Sequence, residues 1–295
     1  MRHTVSHWGA ALMSRAVLYP DPFLEVRVQI IDLPHPLTTL CAGYDGGKWR
    51  SANLADHLFE WLPYAALSQE HQLSFASHNF LQMLRVASAH IYNTKKTATR
   101  GELGELLLHL CCILHFGCAP VVCKLILKSS SNDTVKGFDG VHVLPKADKF
   151  ELWLGESKFY MDGQEAIRDS IESVRQHVLP EFLSAEKAML FGHVGPDVPH
   201  RDAIVKLLKA QTSGDQLLKA ATFPILIAYE SKTVANFKEL SESYVDALTQ
   251  ESLGMKAYFR ERASDLKLRF QLILVPLERK ADVVARFDEK LRPFL

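Results

Sequence analysis

Residues 137–160, GFDGVHVLPKADKFELWLGESKFY, constrain the fold more than any other part of the chain. They predict two short strands joined by a turn within Pro145–Lys149, with Asp139 on the first strand and Glu156 and Lys158 on the second. Side chains alternate along a strand, so Glu156 and Lys158 share a face with Leu152 and Leu154 while Ser157 points to the other. Folding about Ala147 sets Asp139 opposite Gly155, one residue from Glu156; directly opposed residues have Cβ atoms about 5 Å apart. Carboxylates so close repel, and a divalent cation would neutralise them. Hard oxygen ligands suit Mg²⁺ or Mn²⁺. Such a cation binds a phosphate oxygen and makes hydroxide available from water. The Lys158 ammonium can orient that water and offset charge developing on the phosphate. The stretch therefore points to phosphodiester hydrolysis. No Walker loop, Ser-His-Asp set or nucleophile elbow competes with that reading.

Glu-x-Lys alone is a weak signal, because common residue types meet at this spacing by chance. The chain carries a second one, Glu230-Ser231-Lys232, which reads as a strand-end charge pair. Only Glu156 follows an Asp-bearing strand across a short turn, with a carboxylate-bearing helix upstream.

That helix is expected over Gly101–Phe116, with Leu103, Leu106, Leu107, Leu110, Ile113 and Leu114 on a wide apolar stripe. Glu102 and Glu105 sit at its N-terminal end, where the helix dipole favours negative charge. Strands are expected at Phe23–Ile31, Val121–Leu127, Phe223–Tyr229 and Leu266–Pro276. Helices are expected from Ser51 to about Ile91, over Gln164–Leu183 with a stop or kink at Pro180, from Arg201, over Phe237–Arg262 and over Arg279–Leu291. The reading is an α/β chain with a mixed central sheet flanked by helices. It divides into a small N-terminal α/β accessory unit, 1–95, and a site-bearing domain, 96–295.

Lys plus Arg (34) balance Asp plus Glu (34), so a nucleic-acid partner needs a local basic groove or help from another protein. The five cysteines lack framework spacing and read as reduced thiols. The N-terminus has no apolar core of signal-peptide length. Charged residues and Pro120 interrupt the apolar run Leu103–Leu127, so no membrane span is expected. A cytoplasmic location follows from these readings.

At the hairpin and its upstream helix the sequence resembles the PD-(D/E)xK restriction-endonuclease-like superfamily, over Gly101 to about Tyr229. The resemblance implies a core of helix-strand-strand-strand-helix-strand. The superfamily's first helix often carries a metal-facing acidic residue, and Gly101-Glu102-Leu103-Gly104-Glu105 fits its Gly-x-x-x-Glu form, favouring Glu105 over Glu102. More narrowly, RGELGELLLHL, KGFDGVHV and LWLGESKFYMDGQEAI resemble the HamA family, nuclease subunits of the Hachiman anti-phage system. That resemblance implies a HamB-like helicase partner and cleavage of DNA. It implies Asp139, Glu156 and Lys158 as catalytic residues, joined by Glu105, with Asp139, Glu156 and Glu105 on Mg²⁺ or Mn²⁺ and no small-molecule cofactor. The rivals are a repair or restriction nuclease of the same fold, and a subunit that binds DNA or a partner without cutting.

Each residue also has a structural reading. Asp139, Glu156 and Lys158 would otherwise be an ion-pair cluster at a sheet edge, though such groups are costly to bury for structure alone. Glu105 would otherwise cap its helix. His109, Cys112, His115 and Cys118 lack standard zinc spacing and read as core. His142 lies on the strand face opposite Asp139 and reads as structural. Gln164 and Arg168 read equally as phosphate contacts or as exposed residues opening a helix. Lys95, Lys96 and Arg100 form a basic linker or a phosphate-contacting loop.

Overall fold

The computed structural model describes residues 17–76, 78–92, 100–127 and 137–295. Lys95, Lys96 and the first sixteen residues lie outside these. Strands β1 (Glu25–Ile30) and β2 (Leu37–Cys41) lead to a small ribbon of β3 (Tyr44–Asp45) and β4 (Lys48–Trp49). Its turn uses Gly46 and Gly47 at φ of 54° and 76°, which glycine adopts without strain. Helices α1 (Ser51–Ala66), α2 (Gln69–Leu73), α3 (Phe80–Tyr92) and α4 (Glu102–Phe116) follow. Next come β5 (Ala119–Cys123), α5 (Lys124–Leu127), β6 (Gly140–Lys146) and β7 (Lys149–Phe159). Helices α6 (Gly163–His177), α7 (Pro180–Phe191), α8 (Arg201–Leu208) and α9 (Gly214–Ala220) cross over to β8 (Ala221–Glu230). The chain ends with α10 (Lys232–Asn236), α11 (Glu242–Arg262), β9 (Phe270–Leu277) and α12 (Lys280–Leu291).

Seven strands form one mixed sheet in the order β1-β2-β9-β8-β7-β6-β5. The inner run β2, β9, β8 and β7 is parallel, and an antiparallel neighbour closes each side. Parallel strands buried on both faces need apolar side chains throughout, and β8 and β9 supply them. One core lies between the sheet and α1, α4 and α12, through Leu58, Trp61, Leu106, Leu107, Val283 and Phe287. The other covers the opposite face with α6–α9 and the C-terminal half of α11, through Ile167, Ile171, Leu183, Ile204, Leu217 and Phe259. Strands β1 and β2, from the first 95 residues, extend the same sheet by pairing β2 with β9, Leu37 against Leu272.

Several elements differ from expectation. Strand β2 lies in a segment without an apolar run, and all five of its residues are buried. Thr39 Oγ1 meets Ser252 Oγ at 2.9 Å, which satisfies a polar group inside the core. The strand expected over Val121–Leu127 ends at Cys123, and Lys124 turns the chain into α5. Pro180 opens α7 rather than interrupting a longer helix, because its missing N–H is no loss at a first helical position. Helix α11 starts at Glu242, where Ser241 Oγ accepts from Tyr244 N at 3.2 Å. Arg100 is neither a solvated linker residue nor a phosphate contact: it is 2% exposed and pairs with Asp288 at 2.7 Å.

Among the described residues, no helix is long and apolar enough to cross a membrane. All five cysteines are buried, and none of them forms a disulfide.

Candidate active site at the ends of three strands

The site grows from the register of β5, β6 and β7. Cys123 pairs with Gly140, and Gly140 with Gly155; Lys124, Asp139 and Glu156 each lie one residue beyond that row. Two backbone bonds extend the ladders past it: Lys124 N donates to Asp139 O at 3.0 Å, and Asp139 N donates to Gly155 O at 2.9 Å. The hairpin thus turns on the two residues Ala147 and Asp148, half a residue beyond the expected centre. The slip sets Gly140 against Gly155 along the ladder, while Asp139, just before β6, still bonds through its N–H to Gly155 O.

Asp139 is 7% exposed. Its Oδ2 accepts from Ser157 N at 2.9 Å and from Ser157 Oγ at 2.8 Å, while Oδ1 takes Lys124 Nζ at 3.0 Å. Burial alone would raise its pKa; Lys124, Lys158 and the Ser157 hydrogen bonds together bring it below the ordinary carboxylate value. Glu156 is 3% exposed and behaves oppositely. Burial first, and the Asp139 charge second, push it up to about 7 against the pull of Lys158 and Lys124. Its Oε1 accepts from Lys158 Nζ at 2.5 Å, while its buried Oε2 has no hydrogen-bond partner.

Lys158 Nζ also donates to Ser173 Oγ on α6 at 3.2 Å. Burial disfavours its charge, but Glu156 and Asp139 more than restore it, so Lys158 is an ammonium at neutral pH and not a base. His177, at the end of α6, brings Nδ1 within 3.6 Å of Glu156 Oε2. Its ring stacks on Phe182 at 4.4 Å and meets Phe138 edge-on at 4.8 Å. Burial above all lowers its pKa to about 4, so a neutral imidazole faces the carboxylate.

Glu105 is buried on α4, which packs over the opposite face of β7 from Glu156. Its charge acts on Lys124, which also feels Asp139 and Glu156. The structure thus gathers Asp139, Glu156 and Lys158 directly and links Glu105 to them through Lys124. Sequence reasoning missed Lys124, Ser157 as a partner of Asp139, His177 and Glu186. Glu186 on α7 accepts from Phe138 N at 3.3 Å, and burial pushes its pKa up to about 7. Only Lys124 left a usable signal, as the residue that follows the strand beside Asp139.

Other candidates separate from the site. His142 Nε2 meets His109 Nδ1 at 3.1 Å within the core beneath α4. The second Glu-Ser-Lys is not a charge pair: Glu230 Oε1 accepts from Lys280 N at 2.8 Å, at the start of α12. Ser231 Oγ caps α10 through Val234 N. Arg168 donates to Tyr258 Oη at 3.2 Å on the exposed side of α6, where Gln164 is also exposed.

Among the described residues, no three His, Cys, Asp or Glu side chains form a ready metal cage. The carboxylates are instead held by two ammonium groups. The donor chemistry still fits a hard divalent cation: buried carboxylate oxygens, one without a hydrogen bond, and a Glu156 whose charge is opposed by Asp139.

A family model, HamA, matches residues 19–291. No curated protein matches the chain.

Proposed function

The chain belongs to the HamA family, and we propose that it is a metal-dependent DNA nuclease, the cutting subunit of a two-component complex with a HamB-like helicase. Family membership suggests a role in Hachiman defence; the site supports the chemistry. The observation that carries it is the buried Asp139–Glu156 pair on adjacent antiparallel strands, with the charged Lys158 on Glu156 and an unbonded Glu156 Oε2. With α5 inserted after β5 and α7–α9 after α6, the order α4, β5, β6, β7, α6, β8 also supports a PD-(D/E)xK core, since it runs helix-strand-strand-strand-helix-strand.

Asp139 and Glu156, with Glu105 completing the set, would hold Mg²⁺ or Mn²⁺. The bound cation would polarise a phosphate oxygen and supply hydroxide at neutral pH. Ser157 holds the Asp139 carboxylate in place through two hydrogen bonds. Lys158 donates protons of a permanent ammonium, which orients a water and offsets negative charge on the phosphate in the transition state. The balanced charge, 34 against 34, favours delivery of DNA by the helicase over capture by this subunit alone.

The test incubates the protein, with and without its helicase, with plasmid and linear DNA in Mg²⁺. Wild type cuts, while Glu156→Ala and Lys158→Ala each lose roughly 10²-fold or more. Undiminished cutting by Lys158→Ala would remove the role given to that residue. Phage protection that survives loss of Asp139, Glu156 and Lys158 would show a subunit that binds without cutting.

A further inference from the structure

We propose that Lys124 is a further member of this site, an internal counter-ion that holds the divalent cation's place among the carboxylates and is displaced when the cation binds. The inference rests on the metal-dependent reading above. Lys124 is positioned by its backbone: its N–H donates to Asp139 O, and the chain then bends into α5. Its Nζ lies 3.0 Å from Asp139 Oδ1 and 3.4 Å from Gly137 O. Glu105 on α4 and Glu156 on β7 both act on its charge. The ammonium is thus bonded to Asp139 and lies within electrostatic reach of the other two carboxylates assigned to the metal.

A dication ligated by Asp139 stands about 2.1 Å from the carboxylate oxygen. On Oδ1 it would stand about 4 Å from the Lys124 ammonium, and positive charges that close in a buried site repel strongly. Asp139 Oδ1 has a lone pair for each, so the conflict is electrostatic: the ammonium that offsets the carboxylate's charge also opposes the cation that would take its place. Lys158 poses no such conflict, because it takes Glu156 Oε1 and Ser173 and leaves Oε2 open. Removing the carboxylates' counter-ion without replacing it would leave buried like charges facing one another, which explains why a lysine stands at this position.

The test titrates Mn²⁺ calorimetrically, without DNA, into wild type, Lys124→Gln and Lys124→Arg. Lys124→Gln stays polar but loses the charge, and it should bind Mn²⁺ roughly tenfold or more tightly than wild type. Lys124→Arg keeps the charge and should show no gain. In parallel, amine acylation of wild type followed by mass spectrometry should show Lys124 becoming more reactive when Mn²⁺ is added. This second readout decides the matter if Lys124→Gln does not fold. Unchanged or weaker binding by a folded Lys124→Gln, or labelling that does not rise with Mn²⁺, would overturn the counter-ion role alone. Absence of Mn²⁺ binding by wild type and both variants would overturn the metal-dependent reading and this inference with it.

Discussion

At the scale of the residue, the site works by setting two neighbouring carboxylates apart in proton affinity. Asp139 is held ionised by Lys124, Lys158 and Ser157, while burial and the Asp139 charge push Glu156 up to about 7. The linkage has a definite sign. Between the ordinary value of 4.5 and about 7, folded Glu156 keeps a proton that the unfolded chain has released. Its contribution to stability therefore falls as pH rises through that window. His177 slopes the other way: its folded pKa of about 4 lies below the ordinary 6.5, so its contribution is lost as pH falls from 6.5 to 4. A difference measurement isolates the glutamate. The melting temperature of Glu156→Gln minus that of wild type should rise steadily from pH 4.5 to 7 in metal-free buffer, and a flat difference would mean that Glu156 feels no such penalty. Asp139, Glu156 and Lys158 are legible in the sequence because strand alternation and a short turn encode their neighbourhood. The register comes out half a residue off because Ala147-Asp148 carries no Gly or Asn to fix the turn. His177 and Glu186 are not legible, since they reach the site from α6 and α7, and nothing local says where those helices end.

At the scale of the element, the site depends on how closely α4 lies on β7. Two glycines make the approach. A Cβ on Gly104 would stand 3.2 Å from Ser157 Oγ and 3.4 Å from Phe159 Cβ. One on Gly155 would stand 2.7 Å from Leu108 Cδ2 and 3.2 Å from Gly140 O. The Leu108 contact is tighter than side chains tolerate, and the backbone oxygen behind it limits relief. Gly155→Ala should therefore lift α4 and cost about 1–3 kcal/mol in urea unfolding, the usual range for overpacking. Gly101 offers a control at the head of the same helix: a methyl there would have nothing within 4 Å, and its φ of −55° is ordinary for any residue. Gly101→Ala should stay within about 0.5 kcal/mol of wild type. Equal losses from both would mean that the contact with Leu108 is not what sets the cost at Gly155. The helix is readable from its leucine stripe, and β8 and β9 from their apolar runs. Strand β2 and helix α5 are not, because tertiary partners decide them: Ser252 beneath Thr39, and Asp139 beside Lys124.

At the scale of the molecule, the question is whether residues 1–95 can be separated from the site. Strand β2 pairs in parallel with β9, so the sheet continues across that boundary. Leu54, Leu58, Trp61 and Leu62 of α1 share one core with Leu103, Leu106 and Leu110 of α4 and with Val283, Phe287 and Leu291 of α12. Asp56 on α1 pairs with Lys290 on α12 across the same boundary. Cutting the chain before residue 96 would bare that core and leave β9 without a neighbour on one side. At about 25 cal/mol per Å² of apolar area, exposing several leucines and an aromatic ring exceeds the margin of about 5–15 kcal/mol that holds most domains folded. Residues 96–295 alone should therefore lack a cooperative melting transition and bind hydrophobic dyes, while the full chain melts in one step. A fragment that melts sharply by itself, with a full chain that shows two transitions, would instead establish the first 95 residues as an independent unit. In that case the N-terminal helices could be exchanged without touching the site; in the coupled case, any partner that grips α1 or α12 also grips the sheet that carries Asp139 and Glu156.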